Sequence, residues 1–147
     1  MSLLTIYVTF HSIGLVIWTG MAMLLPLVIL PMVRAMDGAE QTALMANLYR
    51  RYLPWFILAG LTVGATGWAQ TIVLFNLLGG HPIIYLKHVA VVILIAVSAY
   101  IWFYLARKLS KPQPDSAGLW KQMQVFGWVQ LAVSAVVLFL CSWMLNG

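Results

Sequence analysis

Four long apolar runs, at roughly residues 3–32, 53–78, 83–106 and 122–145, are separated by three polar connections. Each run exceeds the ~20 residues that an α-helix needs to cross ~30 Å of hydrocarbon at ~1.5 Å per residue. Little chain remains for anything else. The pattern predicts an all-α protein: one integral membrane domain, residues 1–147, built as a four-helix bundle. The second connection (Asn76, Gly79-Gly80, His81-Pro82) and the third (Ser110 to Asp115) are short, which makes neighbouring helices antiparallel, up-down-up-down. The first connection, about 33–52, is the longest. It carries Asp37-Gly38 and then an amphipathic segment, Ala39 to Tyr52, predicted to lie at the membrane interface. Pro26 and Pro31 are expected to bend or end the first helix.

Composition sharpens the membrane reading. The chain is 63% hydrophobic and 7% charged, against about 25% charged in soluble domains. The first run lacks a basic leader and is too long for the apolar region of a signal peptide, so it is expected to stay as the first helix. The net charge of +5 is explained by where it sits. Arg34, Arg50 and Arg51 lie in or beside the first connection, and Arg107, Lys108, Lys111 and Lys121 in or beside the third. The positive-inside rule puts those two connections in the cytoplasm and both termini outside, in a bacterial-type inner membrane. These cations are also candidate contacts for anionic lipid. They form no stripe beyond the membrane boundary, so a nucleic-acid partner is not expected. The near absence of polar surface outside the bilayer points instead to the bilayer itself and to other membrane redox subunits as partners. Trp55, Tyr85, Trp102, Tyr104, Trp120, Trp128 and Trp143 gather near the predicted boundaries and read as interfacial belts. Trp18 falls well inside the first helix.

The chemistry is concentrated in a few polar residues inside the apolar runs. An imidazole in hydrocarbon is costly unless it finds a partner, so His11 and His88 mark a candidate site. His11 lies about 12 Å and His88 about 8 Å below the outer ends of the first and third helices. Two imidazoles at similar depth on two parallel helices suit a haem iron, copper or zinc. The plainer use of each is a hydrogen bond to a neighbouring helix. Gly14 and Trp18 share the His11 face. Gly14 allows either a flat macrocycle or a helix to approach, and Trp18 is placed to stack on a porphyrin edge. Gly60, Gly64 and Gly67 form a small-residue seam for tight helix packing, with a cofactor groove as the alternative. Thr66 and Gln70 are candidate hydrogen-bonding partners at the histidine level. Lys87 either snorkels to the headgroups or neutralises a carboxylate such as a haem propionate. His81 reads as an outer-loop residue, with a third metal ligand as the alternative. Gln130 and Ser134 are spaced to pair with each other. Met21 and Met23 point about 200° apart and so do not chelate one ion together.

Several classes are excluded or disfavoured. Cys141 is the lone cysteine, which rules out an intramolecular disulfide and a cysteine-rich metal site. The carboxylates Asp37, Glu40 and Asp115 all lie in connections. That argues against a proton relay of acidic residues, a carboxylate acid–base pair or a hydrolytic triad.

The stretch Phe10-His11-Ser12-Ile13-Gly14-Leu15-Val16-Ile17-Trp18-Thr19-Gly20, followed by Pro26 and Pro31, resembles the opening helix of the copper resistance protein D (CopD) superfamily. Ala65-Thr66-Gly67 is similar to that family's Thr-Gly or Pro-Gly element. Leu86-Lys87 resembles the start of its corresponding helix, and the related HemJ-type protoporphyrinogen oxidases share the His, Trp and Lys positions. The resemblance implies copper uptake on the CopD side, and haem b binding with porphyrin oxidation on the HemJ side. In both, His11 matches a candidate ligand and Lys87 a candidate functional group. His88 matches neither pattern.

Together these readings predict a membrane haem b protein for electron transfer, a subunit or partner of a larger redox complex rather than an enzyme on its own. His11 and His88 are the ligands, and Gly14, Trp18, Gly67, Gln70 and Lys87 surround the group. The alternatives are a CopD-like copper protein using His11, His81 and His88, and a structural subunit without a cofactor.

Overall fold

The architecture comes from a computed structural model, which describes residues 3–33, 35–78, 82–112 and 116–146, with side chains over 5–33, 35–72, 82–112 and 116–142. The described residues are helical apart from short turns. They form four rods: α1 over 3–33, α2 over Gly38–Leu78, α3 over Pro82–Leu109 and α4 over Ser116–Asn146. Three of them, over Thr5–Val33, Pro82–Leu109 and Ser116–Ser142, are long and apolar enough to cross a membrane. These three are counted among the described side chains, which in α2 stop at Ile72.

Pro26 neither ends nor breaks α1. It sits in a five-residue π-helical turn, Leu25–Ile29, after which α-helix resumes through Leu30–Val33 and includes Pro31. A proline ring clashes with the carbonyl four residues back, and a widened turn relieves that clash while keeping the rod continuous. A second π-helical stretch, Tyr100–Ala106, lies in α3.

The segment predicted to lie separately at the interface is instead the first part of α2. This helix runs 41 residues without interruption, through Arg50, Arg51 and Pro54. Its start is set by a reciprocal cap. The Glu40 amide donates to Asp37 Oδ1 at 2.8 Å, and the Asp37 amide donates to Glu40 Oε2 at 3.2 Å. The pair satisfies amides that have no intrahelical acceptor. Gln41 Nε2 donates to the Val33 and Met36 carbonyls, both at 3.0 Å, and so ties the new helix to the end of α1. The amphipathic pattern of this segment is used in packing: Met45 and Leu48 are buried in the core.

α1 packs along α2, and α3 packs along α4. α1 also touches α4, and α2 meets the Arg107 end of α3. Two ends can therefore be distinguished, one carrying His11, Lys87 and His88 and one carrying Arg50, Arg51, Arg107, Lys108, Lys111 and Lys121. Toward the basic end the core is dense and apolar. Met45, Ile101, Leu105, Ala106 and Met123 are fully buried. Trp18 meets Phe56 edge-on at 5.5 Å between centroids, and Phe56 lies 6.0 Å from Trp102. Trp102 is thus a core residue rather than part of an interfacial belt. Trp55, Tyr85, Tyr104 and Trp128 are exposed on the outside of the rods, as a belt requires.

Candidate functional site: two histidines docked against one helix

α1 and α2 run antiparallel, with His11 level with Gly67 and Trp18 level with Gly60. The register puts the His11 ring beside Thr66. Nδ1 and the Thr66 hydroxyl oxygen are 3.1 Å apart. The Thr66 hydroxyl gives its own proton to the Thr62 carbonyl, as threonines inside helices commonly do. Its oxygen is therefore an acceptor for His11, and the imidazole proton resides on Nδ1. In the neutral ring Nε2 then carries the lone pair. The ring edge rests on Gly67, where an added Cβ would meet Cε1 at 3.0 Å and Nδ1 at 3.4 Å. Gln70 Nε2 donates to the Tyr7 carbonyl at 3.2 Å, one turn from His11. Half-buried Lys87 is close enough for its ammonium to act electrostatically on the imidazole.

His88 is also held by α2. Its Nδ1 lies 2.6 Å from the Ile84 carbonyl, which can only accept, so Nδ1 is a donor here too. Its Nε2 lies 3.2 Å from the Thr71 hydroxyl. That hydroxyl is also 2.8 Å from the Gly67 carbonyl and has one proton for the two acceptors. Thr66 and Thr71 are five residues apart, so their side chains leave α2 about 140° apart and about 7.5 Å apart along the axis. Each histidine thus docks on its own face of the same helix. Thr71 was not singled out in the sequence. The signal available was a second threonine on α2 near the depth of His88.

The other expected site residues divide between packing and partnering. Gly14 faces α2: an added Cβ would lie 2.9 Å from Val63 Cγ2 and 3.4 Å from the Ala59 carbonyl. Trp18 is buried and covers Gly60, with ring atoms 3.6–4.0 Å from where a Cβ would stand. Both are engaged in helix packing, and neither offers a free surface to a macrocycle. Gly64 meets nothing within 4 Å, so the seam consists of Gly60 and Gly67. Gln70 and Thr66 hold α1 at the histidine level. Gln130 and Ser134 do not pair, and both are buried without a hydrogen-bonding partner. Met21 packs against the core and Met23 is exposed. His81 and Trp143 lie outside the residues and side chains described.

The donor set can be tested against the groups it was expected to hold. His11 fits a ligand role: Nδ1 is fixed by the Thr66 hydroxyl, the ring also bonds the Val63 backbone, and Nε2 is the nitrogen that would coordinate. His88 has partners at both nitrogens and fits as a second ligand only by releasing Thr71. Among the described residues no three of His, Cys, Asp or Glu come together to hold a bare ion. Comparisons with protein-family models, curated proteins and solved structures found no match.

Proposed function

We propose that this chain is a membrane haem b protein that carries electrons as a subunit or partner of a larger redox complex. In this reading it lies in a bacterial-type inner membrane as an up-down-up-down bundle of four spans, with the basic connections in the cytoplasm and both termini outside. The observation that carries it is the 3.1 Å contact of His11 Nδ1 with a Thr66 hydroxyl that already donates to the Thr62 carbonyl. A ligating imidazole normally donates its second N–H to a fixed acceptor, which sets the ring's orientation and raises its basicity. Thr66, relayed to the Thr62 carbonyl, supplies that acceptor. Lys87 favours haem over a bare copper ion, because a nearby ammonium opposes a dication and attracts the carboxylates of a porphyrin. The likeness of the His11 and Lys87 stretches to CopD and HemJ proteins supports the same two positions.

Bound there, the haem would supply one-electron exchange between ferric and ferrous iron. The chain's own residues do the rest. His11 would hold the group through Nε2, with Thr66 and Gly67 orienting the ring and Lys87 placed to pair with a carboxylate of the group. His88 would serve as a second ligand in place of its Thr71 contact. Absorption spectra of the chain purified from haem-supplemented cells test this. A Soret band is expected, lost in His11→Ala and altered in His88→Ala. Copper retained through His11 without any Soret band would establish the CopD-like alternative. Wild-type behaviour of the double variant would leave a structural subunit.

A further inference from the structure

At the basic end of α3, five residues that the haem reading does not use share one surface. Phe103, Tyr104, Arg107, Lys108 and Lys111 line a hollow of about 360 Å³. Their grouping follows from the helix. Ile101, Trp102, Leu105, Ala106 and Leu109 face the core, and the five lining residues are all exposed. Residues four apart stack on one helical face, so each aromatic has a cation one turn beyond it, Arg107 after Phe103 and Lys108 after Tyr104. Past the helix end, the Lys111 amide donates to the Lys108 carbonyl at 3.1 Å. That turn keeps Lys111 at the same hollow.

The aromatic side of the hollow is held in place. The Tyr104 ring stacks on Tyr100 at 5.1 Å between centroids, and Tyr100 packs on Phe126 at 4.7 Å. The Tyr100 hydroxyl donates to Gln122 Oε1 at 3.2 Å. Phe126 and Gln122 belong to α4, so two helices fix this side. Lys108 Nζ donates to the Tyr104 hydroxyl oxygen at 2.8 Å and lies 4.4 Å from the ring centroid. With that oxygen accepting, the Tyr104 proton is left to donate to a ligand. Among the described residues, the Arg107 and Lys111 side chains have no hydrogen-bonding or ionic partner. The negative end of a helix attracts cations into its last turn, but that attraction calls for no aromatic wall.

Three cations and a hydroxyl donor select an anion, and a guanidinium matches the paired oxygens of a phosphate. Position selects the source of the phosphate. The hollow lies at the Leu109 end of the apolar span Pro82–Leu109, the level of the headgroups when that span crosses a bilayer. Phe103, 50% exposed, begins the hollow on its apolar side. A soluble phosphate gains nothing from that ring, whereas an acyl chain does. We propose that this hollow binds one anionic phospholipid, its phosphate held by Arg107, Lys111 and the Tyr104 hydroxyl and its chain lying along Phe103. The site rests on the membrane reading of α3 and not on a haem.

Native mass spectrometry of the full chain, released from detergent with phosphatidylglycerol and phosphatidylcholine of identical chains, tests this. The wild type should retain one phosphatidylglycerol about tenfold or more over phosphatidylcholine. Equal retention overturns the proposal, and this measurement needs no variant. Arg107→Gln with Lys111→Gln should weaken retention roughly 30-fold, the effect of two cations at the headgroup level. Arg50→Gln with Arg51→Gln removes the same charge from α2 and should change it less than about threefold. Equal loss in both double variants would reveal a diffuse field rather than a site. Displacement of the lipid by inorganic phosphate, beyond that by chloride at matched ionic strength, would reveal a soluble-anion site. Either result overturns the proposal.

Discussion

From Trp18 to the histidines, the helices are joined by hydrogen bonds: His11 to Thr66, Gln70 to the Tyr7 carbonyl, and His88 to Thr71. From Phe56 to Leu109 the buried contacts between them are apolar, among them Trp102, Met45, Ile101, Leu105 and Met123, with the hydrogen bonds of Gln41 to the end of α1 and of Tyr100 to Gln122 at the margin. Both regions belong to the same rods, and α2 runs through both. The difference lies in directionality. Dispersion and burial of a Trp or an Ile stabilise many nearby arrangements, whereas a hydrogen bond to an imidazole nitrogen fixes one ring orientation and one tautomer. The basic end is built for strength and the histidine end for placement.

Four substitutions bear on that contrast. The largest effect is expected from Trp102→Ala, which empties the apolar end and should cost about 3–5 kcal/mol in reversible unfolding from mixed micelles. A cost below about 1 kcal/mol would show that this end does not dominate stability. Gly14→Ala should follow, at about 1–3 kcal/mol, because the new methyl meets Val63 Cγ2 at 2.9 Å and pushes α1 off α2. Unchanged stability there would mean that the α1–α2 contact is loose. Asp37→Ala removes the cap of α2 and should cost about 1 kcal/mol, with haem binding left intact. Thr66→Val should move stability least, by about 1 kcal/mol or less, yet weaken the proposed haem binding about 10–100-fold by freeing the His11 ring. Equal losses in stability and haem affinity for Thr66→Val would erase the distinction between the two ends.

Much of the fold was legible in the apolar runs, since each had the length of a spanning helix and each became a rod. The misread boundaries have a physical cause. Arg50 and Arg51 looked like part of a polar connection, but exposed cations interrupt hydropathy without ending a helix. The Asp37-x-x-Glu40 spacing was the readable sign that α2 begins there. At the site, Thr66 was legible because antiparallel pairing of α1 and α2 sets it at the level of His11. Thr71 was not, because its meeting with His88 depends on how α2 and α3 are rotated about their axes, which spacing alone does not fix. Trp102 was misplaced for the same reason: its depth was readable, but the direction it faces was not.

The length of α2 has a consequence of its own. Forty-one residues make a rod about 60 Å long, twice the thickness of a hydrocarbon layer. Its first turns are buried in the apolar core through Met45 and Leu48, and farther along it holds both imidazoles through Thr66 and Thr71. One unbroken rod therefore ties the stiffest part of the molecule to the placement of two rings.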